Sequence, residues 1–235
     1  MKIAVCDDSR RDRENLISML REYEQSKGIE FDIIEYDSGE ALLENTAVLQ
    51  DCRIIFMDIN MEQMSGLEAA AQIKGLYPGV RIVLVTAYMN YALEGYKVKA
   101  SRFLVKDDLP VTITECMDAL VEEIEQETKT MEFSFVEGNI KLKAGEIIYI
   151  ETDKHKNVFY TLAGSYSIYK KLDELEKELR DLGFVRIHQS FLVNMRYIRK
   201  ISSYVMTLTT GKEISVPKTR YAEVKKQYTL FKGVE

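Results

Sequence analysis

Residues 2–8 read KIAVCDD, a short apolar and β-branched run that ends on two acids. Such a run, bounded by charge, is the pattern of a buried strand. The same form recurs along the first half of the chain. Arg53–Met57 runs into Asp58, Arg81–Val85 into Thr86, and Arg102–Val105 into Lys106. Between these strands lie segments with helical periodicity. Arg10–Lys27 carries Leu16, Ile17, Met19, Leu20 and Tyr23 near helical spacing. Phe31–Tyr36 is a further strand, and Ser38 with Gly39 opens a helix from about Glu40. Gly66–Leu76 is a helix ended by Tyr77-Pro78-Gly79, and Asn90–Val98 and Val111–Glu127 complete the series. Strictly alternating strands and helices predict an α/β unit over residues 1–127, built on a doubly wound, five-stranded parallel sheet. In such sheets the reactive groups gather beyond the carboxy ends of the strands.

That rule brings Asp7, Asp8, Asp58, Thr86 and Lys106 to one rim. Clustered carboxylates repel one another and shift their pKa values unless a cation joins them. Hard oxygen ligands with room for water suit Mg2+. A metal, an ammonium and a hydroxyl around one carboxylate are what phosphoryl transfer requires, namely charge neutralisation and positioning. Each residue alone has a plainer reading, as a solvated turn or ordinary strand chemistry. Their coincidence at four strand ends favours a site.

On these residues the first 125 or so positions resemble the receiver domain of two-component response regulators, whose fold is flavodoxin-like. The resemblance implies a phosphoacceptor at Asp58, metal ligation by Asp7, Asp8, Asp58 and the backbone carbonyl of Asn60, a switch hydroxyl at Thr86 and a phosphate-contacting amine at Lys106. Phe103 matches the switch aromatic, and a core strand residue is the equal alternative. Gly66 fits a tight entry into the helix after Asp58. The chain departs from the family where proline usually follows the lysine, reading Lys106-Asp107-Asp108. A cis bond before a non-proline residue costs roughly 2.5–4 kcal/mol, so a trans bond or a rearranged loop is expected there.

After Glu127-Thr128-Lys129 the texture changes. Short strands are expected at Glu132–Val136, Ile140–Leu142, Ile147–Glu151, Val158–Leu162 and Ser165–Ile168. A helix with Leu172, Leu175, Leu179 and Leu182 on its apolar stripe follows. Then come Phe184–Ile187, Ile198–Ser203, Met206–Thr209 and Glu213–Val216, and a final helix from about Thr219. This describes a second, β-rich domain over 131–235. Residues 1–130 carry 14 Lys+Arg against 25 Asp+Glu, whereas 131–235 carry 18 against 13. A basic half on an acidic chain points to a polyanionic partner, although neighbouring domains also differ by chance. Cys6, Cys52 and Cys116 lack CxxC spacing and read as buried free thiols of a reducing cytoplasm. No apolar run reaches the roughly 18 residues of a membrane span.

FVRIHQSFLVNMRYIRKI (184–201) and the later ISVPKTRYAEVKK resemble the LytTR class of DNA-binding output domains, as do IIYIETDKHKNVFYTL and KLDELEKEL upstream. The resemblance implies a β-fold that inserts loop residues into the major groove of double-stranded DNA. Its base-contacting positions fall on His155, Gln189 and Arg220. Arg pairs bidentately with guanine and Gln with adenine. Lys154, Lys156 and Lys218, with Arg199 and Lys200, offer phosphate grips, or are solvated surface charges. His188, at the end of an apolar strand, reads as structural. Together the two resemblances imply a cytoplasmic transcription regulator, not an enzyme, phosphorylated by a sensor histidine kinase and dimeric when phosphorylated. The alternative is a phospho-dependent switch whose second domain binds protein or RNA.

Overall fold

The computed structural model describes residues 1–87, 98 and 100–232. The chain forms two compact units, Met1–Val121 and a second from Glu122 onward. In the first, β1 (Lys2–Cys6), β2 (Asp32–Tyr36), β3 (Ile54–Asp58), β4 (Arg81–Thr86) and β5 (Arg102–Val105) form one sheet in the order β2-β1-β3-β4-β5. All of its pairings are parallel. The near-continuous apolar runs of β1, β3 and β4 make them the central strands, since a parallel sheet is covered on both faces. Every residue of IIFMD and RIVLVT is buried, while β2 and β5 at the edges are only partly so.

Helix α1 (Arg10–Lys27) starts at Ser9, whose hydroxyl accepts the Asp12 N–H, and ends at Gly28 in the left-handed region. The single helix expected from Glu40 is instead two short ones, α2 (Gly39–Glu44) and α3 (Thr46–Asp51). Asn45 causes the break: it leaves helical geometry and its side chain caps the second helix by accepting the Val48 N–H. This is the usual preference of asparagine for a cap over a helix interior. Helix α4 (Gly66–Leu76) begins in a capping box between Ser65 and Glu68. The helix expected at Asn90–Val98 lies outside the described residues. Lys106–Asp108 forms one 3-10 turn that leads into α5 (Leu109–Thr128), and the described residues contain no cis peptide bond.

The second unit contains the hairpin β6 (Thr130–Phe135) and β7 (Gly138–Lys143), then β8 (Ile147–Asp153), β9 (Lys156–Thr161), β10 (Ser165–Ile168), α6 (Leu172–Leu179), β11 (Phe184–His188), β12 (Phe191–Asn194), β13 (Ile198–Ser202), β14 (Val205–Leu208), β15 (Glu213–Ser215) and α7 (Lys218–Phe231). Strand β12 was not among the expected elements. It is the partner of β8 in an antiparallel sheet of order β10-β9-β8-β12-β11, and β13–β15 form a second, smaller sheet. Alternation along the strands divides the core. Ile150, Phe184 and Leu192 pack with Leu172, Leu175, Leu179 and the phenylalanines of β6. Tyr149, Val185 and Val193 pack with Met206, Ile214 and Val224. The larger sheet is therefore buried on both faces. Among the described residues no helix is long and apolar enough to cross a membrane.

Among the described glycines of the first unit, Gly66 makes the closest backbone approach. Its N–H bonds to the Ile59 carbonyl, and a Cβ there would stand 1.9 Å from the backbone oxygen of Asp58. Gly66→Ala should therefore cost on the order of 1–3 kcal/mol as backbone is forced to shift. Thermal melting checks this, and an unchanged midpoint would contradict it.

Candidate functional site

The strand order reverses between β1 and β3, and the acids sit at that crevice. Asp7 and Asp8 follow β1, and Asp58 ends β3. Asp7 and Asp58 are buried and Asp8 is exposed, and one carboxylate oxygen from each lies within 4.8 Å of the others. The Ser9 N–H donates to Asp7 Oδ1 (2.9 Å) and the Glu62 N–H to Asp8 Oδ2 (3.2 Å), which fixes the pair. Lys106 Nζ stands 2.7 Å from Asp7 and 3.5 Å from Asp58 Oδ1. Thr86 ends β4, fully buried, and its hydroxyl accepts from Asn60 Nδ2 at 3.5 Å. Phe103 is half-buried on β5, in register with Leu84, and packs against the core.

Two participants were not foreseen. Asp12 Oδ2 lies 2.7 Å from Lys106 Nζ, as near as Asp7. Arg13 Nη1 donates to the backbone oxygen of Asp7 at 2.6 Å. The available signal was Ser9: as a helix cap it brings the first turn of α1, with Asp12 and Arg13, beside the Asp7-Asp8 pair.

In the second unit, Lys154 and His155 form the two-residue turn between β8 and β9, with Lys154 at φ 54. Gln189 and Ser190 form the turn between β11 and β12. The Thr152 N–H donates to the Ser190 oxygen, so both turns lie at the same end of the sheet. His155 and Gln189 are exposed there, and His188 Nδ1 accepts the Ser190 N–H to close the second turn. Arg220, in the first turn of α7, donates from Nη1 to the Arg186 oxygen of β11 at 2.9 Å. Lys218 begins α7, with its ammonium 5.8 Å from the ring centre of Tyr204. Lys156 opens β9 directly after the turn.

Two family descriptions match the chain in succession. Residues 3–118 match the response regulator receiver domain and residues 137–229 the LytTr DNA-binding domain. The chain belongs to the LytTR-type response regulators. It is similar along its length to Sensory transduction protein LytT of Bacillus subtilis, with 28% identity covering 96% of this chain and 98% of that relative. Accessory gene regulator protein A of Staphylococcus epidermidis is 29% identical over 86% of this chain and 90% of its own. Among solved structures, the response regulatory domain of mrkE from Klebsiella pneumoniae covers 54% of this chain and 99% of its own at 23% identity and a TM-score of 0.47. A response regulator from Thermotoga maritima in complex with Mg(2+)-BeF covers 51% of this chain and 97% of its own, with 28% identity and a TM-score of 0.40.

The electrostatics of this receiver follow from its burial. Desolvation first, then the charge of Asp7, pushes Asp58 up from 3.8 to about 6, against the opposing pull of Lys106. Asp7 is likewise raised, chiefly by burial. For Lys106, burial alone would favour the neutral amine, but Asp12 and Asp7 outweigh it and hold the ammonium charged. The Asp7, Asp8 and Asp58 oxygens are a donor set that fits a hard divalent cation.

A carboxyl whose pKa rises on folding subtracts stability above its unfolded value, and that loss disappears as pH falls through the folded pKa. Asp58→Asn removes the charge. In chelator at about pH 7.5 the variant should be more stable than the parent by on the order of 2 kcal/mol, with the gap closing toward about pH 4. Added Mg2+ should narrow it. Denaturant titrations at the two pH values check the sign, and a gap that grew with acid would contradict the account.

Proposed function

We propose that the protein is a phosphorylation-controlled transcription regulator, with residues 1–127 as the receiver and 131–235 as the DNA-binding output domain. A sensor histidine kinase is the donor. The Asp58 carboxylate attacks the phosphoryl group of a phosphohistidine, a P–O bond forms as the P–N bond breaks, and the imidazole leaves with its electron pair. Asp7, Asp8, Asp58 and the Asn60 carbonyl would hold Mg2+, which would supply charge neutralisation for the transfer. Lys106 pairs with one phosphoryl oxygen and the Thr86 hydroxyl with another. Drawing Thr86 inward frees space for Phe103 and favours a homodimer on paired DNA sites. The chain promotes its own modification and turns over no separate substrate.

One observation carries this reading: an ammonium within 3.5 Å of a buried carboxylate that two further acids flank. In the output domain His155, Gln189 and Arg220 are assigned to base edges, and Lys154, Lys156 and Lys218 to phosphates. The shared sheet end of the two turns supports the assignment, as does the guanidinium of Arg220 beside β11. That guanidinium has five N–H donors and gives one of its Nη1 donors to the Arg186 carbonyl, so a guanine edge can still be engaged.

Incubation of the full chain with acetyl phosphate and Mg2+ should add a single phosphoryl group by intact mass, and Asp58→Ala should add none. Chelation of the metal should suppress the reaction in the parent. Equal labelling of the alanine variant would remove Asp58 as the acceptor.

A further inference from the structure

Arg186, at the centre of β11, is a charged residue with only 8% of its side chain exposed. The pairing of β11 with β12 shifts register between Arg186 and His188, so the strand bulges just before the Gln189 turn. A bulge takes carbonyls out of the ladder and re-aims the side chains that follow. The Arg186 guanidinium occupies that gap. Its Nε donates to the His188 oxygen at 2.6 Å and its Nη2 to the Gln189 oxygen. On the other side its Nη1 faces Asp173 at 3.2 Å and Glu176 at 3.4 Å, both on α6. The backbone oxygen of the same residue accepts the Arg220 hydrogen bond. One residue thus holds the Gln189 turn through its side chain and the Arg220 fork through its main chain.

We infer that Arg186 is a positioning residue for DNA recognition, fixing Gln189 and Arg220 at one spacing so that both meet base edges together. This rests on the base-reading role proposed above for those two side chains. A planar fork is needed because two carbonyls and two carboxylates must be met in fixed directions. A lysine ammonium at the end of a flexible stem keeps the charge facing Asp173 and Glu176 but not the two-carbonyl bridge. Phosphate contacts made elsewhere on the domain do not depend on that bridge, so base preference and general DNA affinity should separate.

The test uses the full chain with acetyl phosphate and Mg2+, a randomised duplex pool, and sequencing of the retained fraction. The parent, Arg186→Lys, Gln189→Ala and the double variant are compared, with melting curves for each. Arg186→Lys should stay folded, its melting midpoint lowered by no more than a few degrees for the two carbonyl hydrogen bonds it gives up, and should keep its affinity and salt dependence on random duplex. It should lose about tenfold in preference at the base pairs that Gln189→Ala also relaxes. The double variant should be no worse than either single one, because both remove the same placement. Arg186→Lys with parental preference, while Gln189→Ala relaxes it, would overturn the inference and leave the base-reading assignment standing. Equal loss on selected and random duplex together with a melting midpoint lowered further than that would make Arg186 structural only, and would also overturn it. A parent that selects no sequence would overturn the base-reading assignment itself and the inference with it.

Discussion

The first unit depends on one ammonium among acids. Lys106 stands between Asp7, Asp12 and Asp58, at the point where the strand order reverses. Without it, two buried carboxylates would face each other at short range, and desolvation would drive one to hold its proton. With it, Asp58 titrates at about 6 and is largely ionised at neutral pH. Each neighbour of the pocket serves this arrangement. Backbone N–H groups fix Asp7 and Asp8, Arg13 holds the carbonyl of Asp7, and Gly66 lets α4 start hard against the backbone of Asp58.

Buried charges are costly and selective at once. Removing Lys106 would leave the acids uncompensated, which is more destabilising than never having had the pair, whereas removing the Asp58 charge leaves the ammonium two partners, Asp7 and Asp12. The same imbalance makes the site responsive. A doubly charged oxyanion on Asp58 would give the ammonium a stronger partner than the carboxylates it now bridges. Asp12 is then the contact most easily surrendered, being the most exposed of the three acids.

The parallel sheet was legible because central strands of a covered sheet are unbroken apolar runs, and KIAVC, IIFMD and IVLVT have no other comfortable reading. The strand-end residues followed from that topology. What escaped was local. Asn45 interrupts a helical pattern that periodicity alone carries through, because its capping hydrogen bond is invisible to hydrophobic spacing. Phe191–Asn194 is only four residues long and follows β11 after two turn residues, so its apolar run Phe191-Leu192-Val193 is too short to stand out by periodicity, and its β8 and β11 partners are what define it as a strand. Asp12 and Arg13 required the cap at Ser9 to be taken as a geometric statement about the pocket. Arg186 looked like an ordinary strand residue. Its role depends on a bulge, and a bulge has no signature in a sequence where no glycine marks it.

In the second unit the Lys154-His155 and Gln189-Ser190 turns leave the same end of a sheet that is buried on both faces. Under the proposed function, phosphorylation of Asp58 governs how this unit engages DNA. The direct measurement is retention of a randomised duplex pool by the full chain at fixed salt, before and after treatment with acetyl phosphate and Mg2+, with Asp58→Asn alongside. The account predicts that treatment tightens binding and enriches paired sites for the parent and changes nothing for the variant. Identical retention by treated and untreated parent, with phosphorylation verified by mass, would contradict it.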